Sequence, residues 1–162
     1  MVTKKEVALN EPQIAFCGVC CGHCGMRTRI PRIAKELKRF VDAYGYADWI
    51  GHVAPDLDFR SFIKGVDWFA GSGCPGCLHG GGMPVCEVRN CCKGKGFNNC
   101  FLCSEFAKCG RLQYQKETYG IDDSYARIKH VGYAGWLKEQ EQKTKEGFDN
   151  IHFLEKKRLT KA

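Results

Sequence analysis

Cys17-Gly18-Val19-Cys20-Cys21-Gly22-His23-Cys24 places four cysteines within eight residues, and how they are read governs the rest of the chain. Two Cys-x-x-Cys pairs stand back to back in it, Cys17/Cys20 and Cys21/Cys24, and two more follow at Cys74-Pro75-Gly76-Cys77 and Cys100/Cys103. Twelve cysteines scattered over 162 residues would give only about 0.8 such pairs (12 × 11/161), against the four present. The spacing matters because a tight turn brings both sulfurs to one ion while backbone amides in the turn support the thiolates. Pro75 and Gly76 enforce such a turn, and Gly25 follows Cys24. The pattern predicts metal binding.

The compartment bears on that reading. Residues 1–12 hold Lys4 and Lys5, but Glu6, Asn10, Glu11 and Pro12 interrupt any apolar run, so no secretory signal is read there. The longest uncharged stretch, residues 68–86, contains six glycines, two prolines and a histidine, which excludes a membrane helix. A soluble cytoplasmic protein is expected. Clustered cysteines in a reducing compartment bind metal or do redox chemistry more often than they form disulfides.

Zinc favours closed sites of four cysteines, or of cysteine with histidine, assembled from paired turns. Cys74/Cys77 with Cys100/Cys103 would make one site. Cys17, Cys21 and Cys24 would make most of another, completed by Cys86, Cys91, Cys92 or Cys109, with His23 and His79 as substitutes. A 4Fe–4S cluster uses the same thiolates and is the alternative. Cys17-x3-Cys21-x2-Cys24 has the cysteine spacing of radical-SAM enzymes, but this chain is too short and too helical for the barrel they resemble. Thiol chemistry is a further option: Cys20-Cys21 and Cys91-Cys92 are adjacent pairs, one ion seldom uses both members, and a thiol near Arg27, Lys93 or Lys95 would react if its pKa were lowered.

Composition agrees with a fold that needs metal. Hydrophobic residues are 44% of the chain, and removing the 12 cysteines leaves about 36%, a modest core for this length. The formal charge is +7, from 25 Lys+Arg against 18 Asp+Glu. Each four-thiolate zinc or 4Fe–4S site carries a net −2, so two sites lower the balance to about +3. Nucleic acid is therefore only weakly supported as a partner. A local basic run remains at Arg27, Arg29, Arg32, Lys35, Lys38 and Arg39, opposed only by Glu36. It reads as a solvated helix face, or as a docking surface for an acidic partner or a phosphate backbone.

Around the cysteines the chain reads as helical. Pro31 suits a first turn, and Ile33, Leu37, Phe40, Val41 and Tyr44 form one apolar stripe, read as core. A second helix is expected after Asp56 as N-cap, with Phe59, Phe62, Ile63, Val66 and Phe69 inward, ending at Gly71 and Gly73. Leu102, Phe106, Cys109 and Leu112 suggest a third. Ser124 would cap a fourth through Ile128, Val131, Trp136 and Leu137, weakened by Gly132 and Gly135. Gly80-Gly81-Gly82 is loop. No stretch alternates cleanly, so little β-structure is expected. No conventional catalytic motif occurs: Asp122-Asp123 read as helix-capping, and His52 and His130 lack a neighbouring nucleophile.

The cysteine order also resembles a known family. Residues 14–24, Ile-Ala-Phe-Cys-Gly-Val-Cys-Cys-Gly-His-Cys, are similar to the opening of the bacterial and archaeal cysteine-rich family called domain of unknown function 3795. So are Cys74-Pro-Gly-Cys77, Cys86-Glu-Val-Arg-Asn-Cys91, Asn99-Cys100-Phe-Leu-Cys103 with Cys109, and the helix at residues 127–140. The resemblance spans residues 14–142. Cys20 stands where the family usually has an acidic residue, and Met83 where many members have another cysteine. It implies a metal-binding domain, presumed zinc, and no reaction.

The expected protein is thus mainly α, a single cysteine-rich metal-binding domain over residues 1–162 with a charged helical tail at 143–162. Its helices surround a cysteine-rich segment holding two zinc ions. The ligands are drawn from Cys17, Cys21, Cys24, Cys74, Cys77, Cys86, Cys91, Cys100, Cys103 and Cys109. It would serve as a binding or accessory module for a protein partner, with an iron–sulfur or thiol redox protein as the alternative and a nucleic-acid-binding zinc protein third.

Overall fold

The structure, a computed structural model, describes residues 14–159. It is mainly α, as expected, and the only β-pairing among the described residues is an isolated antiparallel bridge between Ile14 and Cys20. No helix among them is long and apolar enough to cross a membrane. The reading of residues 1–12 lies outside the described residues. Contacts divide the chain into two compact units, one of residues 26–74 and one of residues 14–25 with 75–159.

The first unit is helical. After the single helical turn Gly25–Thr28, its longer helices are α1 (Ile30–Ala43), α2 (Tyr46–Val53) and α3 (Phe59–Gly71), and α1 packs along α3. Pro31 stands in the first turn of α1, where its missing N–H costs no intrahelical bond. Gly45, at φ 62°, turns the chain into α2, a helix the sequence pattern does not single out. The N-cap of α3 is Asp58 rather than Asp56, its carboxylate accepting from the Ser61 N–H at 3.0 Å.

Burial corrects the predicted core of this unit. Val41 and Val66 are inside, together with Pro31 and Ala34. Ile33, Leu37, Phe40 and Tyr44, read as one inward stripe, are exposed, and so are Phe62 and Phe69. The seam between α1 and α3 is made of small side chains, which let two backbones approach closely. The large apolar residues beside it are left on its flank.

The second unit carries the other cysteines. It contains α4 (Glu87–Gly94), α5 (Gln113–Tyr119), α6 (Ile121–Lys145) and α7 (Ile151–Leu159). The helix expected through Leu102, Phe106, Cys109 and Leu112 is instead three short 3-10 turns, Cys100–Leu102, Phe106–Lys108 and Gly110–Leu112. Those apolar residues recur at helical spacing, yet Cys103 and Cys109 take extended backbone between the turns.

Helix α6 starts three residues before Ser124, after Gly120 at φ 59°, with Asp122 and Asp123 in its first turn, where carboxylates suit the N-terminal dipole. Gly132, at φ 75° and ψ 160°, breaks it in the middle. Beyond the break Tyr133 accepts a hydrogen bond from the buried Asn99 side chain at 3.1 Å. Trp136, 2% exposed, meets Phe101 edge-on at 5.4 Å. Phe106, Leu112 and Ile121 complete a core in which Cys20, Cys92 and Cys100 are themselves buried members.

Candidate metal centre

The first cysteine turn is built by its glycine. Gly18 has φ 95°, a left-handed conformation that side chains disfavour. The turn closes by hydrogen bonds from the Ala15 N–H to the Val19 carbonyl (2.8 Å) and from the Gly18 N–H to the Ala15 carbonyl (2.9 Å). A Cβ on Gly18 would stand 2.5 Å from the Phe101 ring. The turn is thus seated directly on the 100–103 turn, and the Phe16 carbonyl accepts from the Cys100 N–H at 2.7 Å.

His23 lies in the 3-10 turn Cys21–His23 and is buried. Its Nε2 is 3.1 Å from the Gln140 carbonyl, so Nε2 carries the proton and donates. Phe148 meets the ring edge-on at 5.0 Å, and burial lowers its pKa, leaving the ring neutral. His23, considered above as a substitute ligand, instead ties the cysteine turn to the C-terminal helices.

The sulfurs fall into two groups. Burial pushes the Cys17 thiol up to about 12, against a hydrogen bond from the Val19 amide, and negative charge on Cys77, Cys21 or Cys86 would raise it further. Cys24 and Cys17 both lie within charge range of Tyr119. The second group surrounds a cavity of about 40 Å³ lined by Cys91, Cys92, Cys100, Cys103 and Cys109. Burial raises the Cys100 thiol, the neighbouring Cys92 raises it again, and negative charge on Cys17 or Cys109 would add to both, so Cys17 lies near each group.

The sequence expectation sets Cys74 and Cys77 with Cys100 and Cys103. Cys77 keeps company with Cys17, while Cys100 and Cys103 share their cavity with Cys91 and Cys109. Cys74 is the last residue of the helical unit. Among the described residues no three His, Cys, Asp or Glu side chains converge closely enough to hold a metal ion.

Each group carries a cation at its edge. The Arg89 guanidinium, on α4, donates to the Cys77 sulfur at 3.5 Å and to the Gly81 carbonyl at 2.5 Å. Lys95 donates to the Cys103 sulfur at 3.8 Å and pairs with Glu105 at 2.5 Å. Arg89 escaped the sequence reading, although its place three residues after Cys86 and two before Cys91 was a signal.

Cys92 is of another kind. It is buried, its thiol donates to the Phe97 carbonyl at 3.3 Å, and burial raises its pKa. That is the reverse of the activation a nucleophilic thiol needs.

The chain belongs to the family described as a protein of unknown function (DUF3795). The match covers residues 13–114, 102 of 162 residues, and takes in every cysteine. The resemblance of residues 127–140 lies beyond it. No curated protein and no solved structure matches the chain.

Proposed function

We propose that this chain is a cytoplasmic zinc-binding module whose two cysteine groups hold structural ions and whose role is to bind a partner rather than to catalyse a reaction. The support for the reading is the gathering of sulfurs within one unit: Cys21, Cys77 and Cys86 lie within charge range of Cys17; Cys91, Cys100, Cys103 and Cys109 line one small cavity; and Cys17 and Cys100 are themselves neighbours. The donor set fits by type, since thiolates are soft ligands of zinc. Arg89 and Lys95 would offset part of the net −2 that each four-thiolate site carries. Bound there, zinc would supply cross-links that tie the turns together, a folding contribution of roughly 10 kcal/mol or more in small peptides.

The iron–sulfur alternative uses the same thiolates and is separated from zinc by colour and metal content. Protein purified without oxygen should be colourless and carry about two zinc ions per chain. Iron with acid-labile sulfide and absorbance near 400 nm (roughly the sulfur-to-iron charge-transfer region) would overturn the reading.

A further inference from the structure

The apolar face left outside the helical unit points to a partner of definite chemistry. Ile33 is 55% exposed, Leu37 42%, Phe40 46% and Tyr44 69% on α1; Phe62 is 41% and Phe69 46% exposed on α3. Lys38 and Asp67 meet at 3.5 Å on one side of the α1–α3 seam. At about 100° per residue, Ile33, Leu37 and Phe40 lie across that seam from Lys38, and Phe62 and Phe69 lie across it from Asp67. The two apolar flanks therefore share one side of the helix pair. Six large apolar side chains on one side of two packed helices far exceed the scattered exposure of an ordinary surface.

On α1 the border of this face carries Arg32 and Arg39 with the exposed Glu36 between them, a net of +1 (2 − 1). The Arg39 guanidinium lies 4.5 Å over the Phe40 ring, and Arg32 stands exposed two turns before it on the same outer edge. Lys38, by contrast, is taken up by Asp42 at 3.1 Å and by Asp67. We infer that this face of α1 and α3 receives an acidic amphipathic helix of another protein, its apolar stripe against Leu37, Phe40 and Phe62 and its carboxylates on Arg32 and Arg39. Helix-in-groove recognition has this form, and the guanidinium fork matches a carboxylate with two parallel hydrogen bonds.

Two other occupants fit less well. A second copy of the chain would bring the same arginines to the same edge. An anionic bilayer needs a broad positive field, and residues 26–74 hold eight Arg and Lys against six Asp and Glu, a net of only +2 (8 − 6). The inference rests on the binding role proposed above but not on the metal, and the two fail separately: the metal count can come out as iron while the docking result stands.

The test uses the full metal-loaded chain and a labelled 18-residue helical peptide with leucine at i, i+3, i+4 and i+7 and glutamate elsewhere. A lysine counterpart, vesicles of phosphatidylserine and phosphatidylcholine, and sedimentation of the chain alone complete the set. Binding of the glutamate peptide should be at least about tenfold tighter than of the lysine peptide, and should weaken as salt is raised. Phe40→Ser and Arg39→Glu should each weaken it by about tenfold, with melting temperature and metal content unchanged. The inference is overturned by equal binding of both peptides or by none. It is equally overturned by preferential capture on vesicles, by self-association that hides the face, or by variants that bind like the parent. Unfolding of Phe40→Ser would make Phe40 a packing residue and overturn it too; Arg39→Glu, on an exposed side chain, tests the border independently.

Discussion

The helical unit and the cysteine unit solve the same problem in opposite ways. Residues 26–74 form three well-defined helices, yet their seam holds little more than Pro31, Ala34, Val41 and Val66, and most of their large apolar side chains face outward. The cysteine unit is made of short turns and a broken helix, yet it buries Phe101, Phe106, Leu112, Ile121 and Trp136 against the cysteines themselves. Regular secondary structure does not by itself make a core. Burial comes from side chains that converge, and in the cysteine unit the turns bring them together.

The largest effect expected from that difference is on metal removal. Chelation, or Cys77→Ser, should abolish the near-ultraviolet circular dichroism of the cysteine unit while far-ultraviolet helicity from residues 26–74 persists. The contribution proposed for zinc, roughly 10 kcal/mol, would exceed the stability of most small domains. A single transition that removes both signals together would show that the two units are not separately held.

Next in size is the seat of the first turn. Gly18→Ala puts a methyl 2.5 Å from the Phe101 ring at a φ of 95°. It should cost about 2–4 kcal/mol in denaturant unfolding, through strain and overpacking together. Gly65→Ala, with open space around its Cβ, is the control in the helical unit and should be neutral or stabilising. Equal losses at both glycines would break the contrast between a tightly seated turn and a loosely packed helix.

The smallest effect sharpens the picture of the helical unit alone. The Ser61 amide holds the Asp58 carboxyl below its ordinary value of 3.8. A carboxyl depressed in the folded state stabilises above its unfolded pKa, and that stability is lost as pH falls through the folded value. Thermal melts of the parent and Asp58→Asn should therefore differ above pH 4 and draw together below it. A difference that persists unchanged to low pH would remove the charge from the cap's contribution.

Much of this was legible in the chain itself. Cys-x-x-Cys spacing with Pro75, Gly76 and Gly18 foretells tight sulfur-bearing turns, because only such residues admit those backbone angles. Helical content was legible from period, and the weakness of α6 from Gly132, which breaks it. The 3-10 turns at residues 100–112 were not legible, since Leu102, Phe106, Cys109 and Leu112 keep a helical spacing while the chain between them is pulled extended. Asp56 and Asp58 are equally good caps in sequence, and Ser61 chose between them.

The sequence alone determined that the protein is helical, rich in cysteine turns, and a member of the DUF3795 family; the first two are local properties, set by spacing and backbone preference. Only the tertiary structure decided which sulfurs keep company, that His23 serves the Gln140 carbonyl, and which flank of α1 is buried. An amphipathic period says that a helix has an apolar stripe. What covers the stripe depends on how closely the neighbouring helix can approach, and here the small side chains of Ala34, Val41 and Val66 drew the seam to one side and left Leu37 and Phe40 in the open.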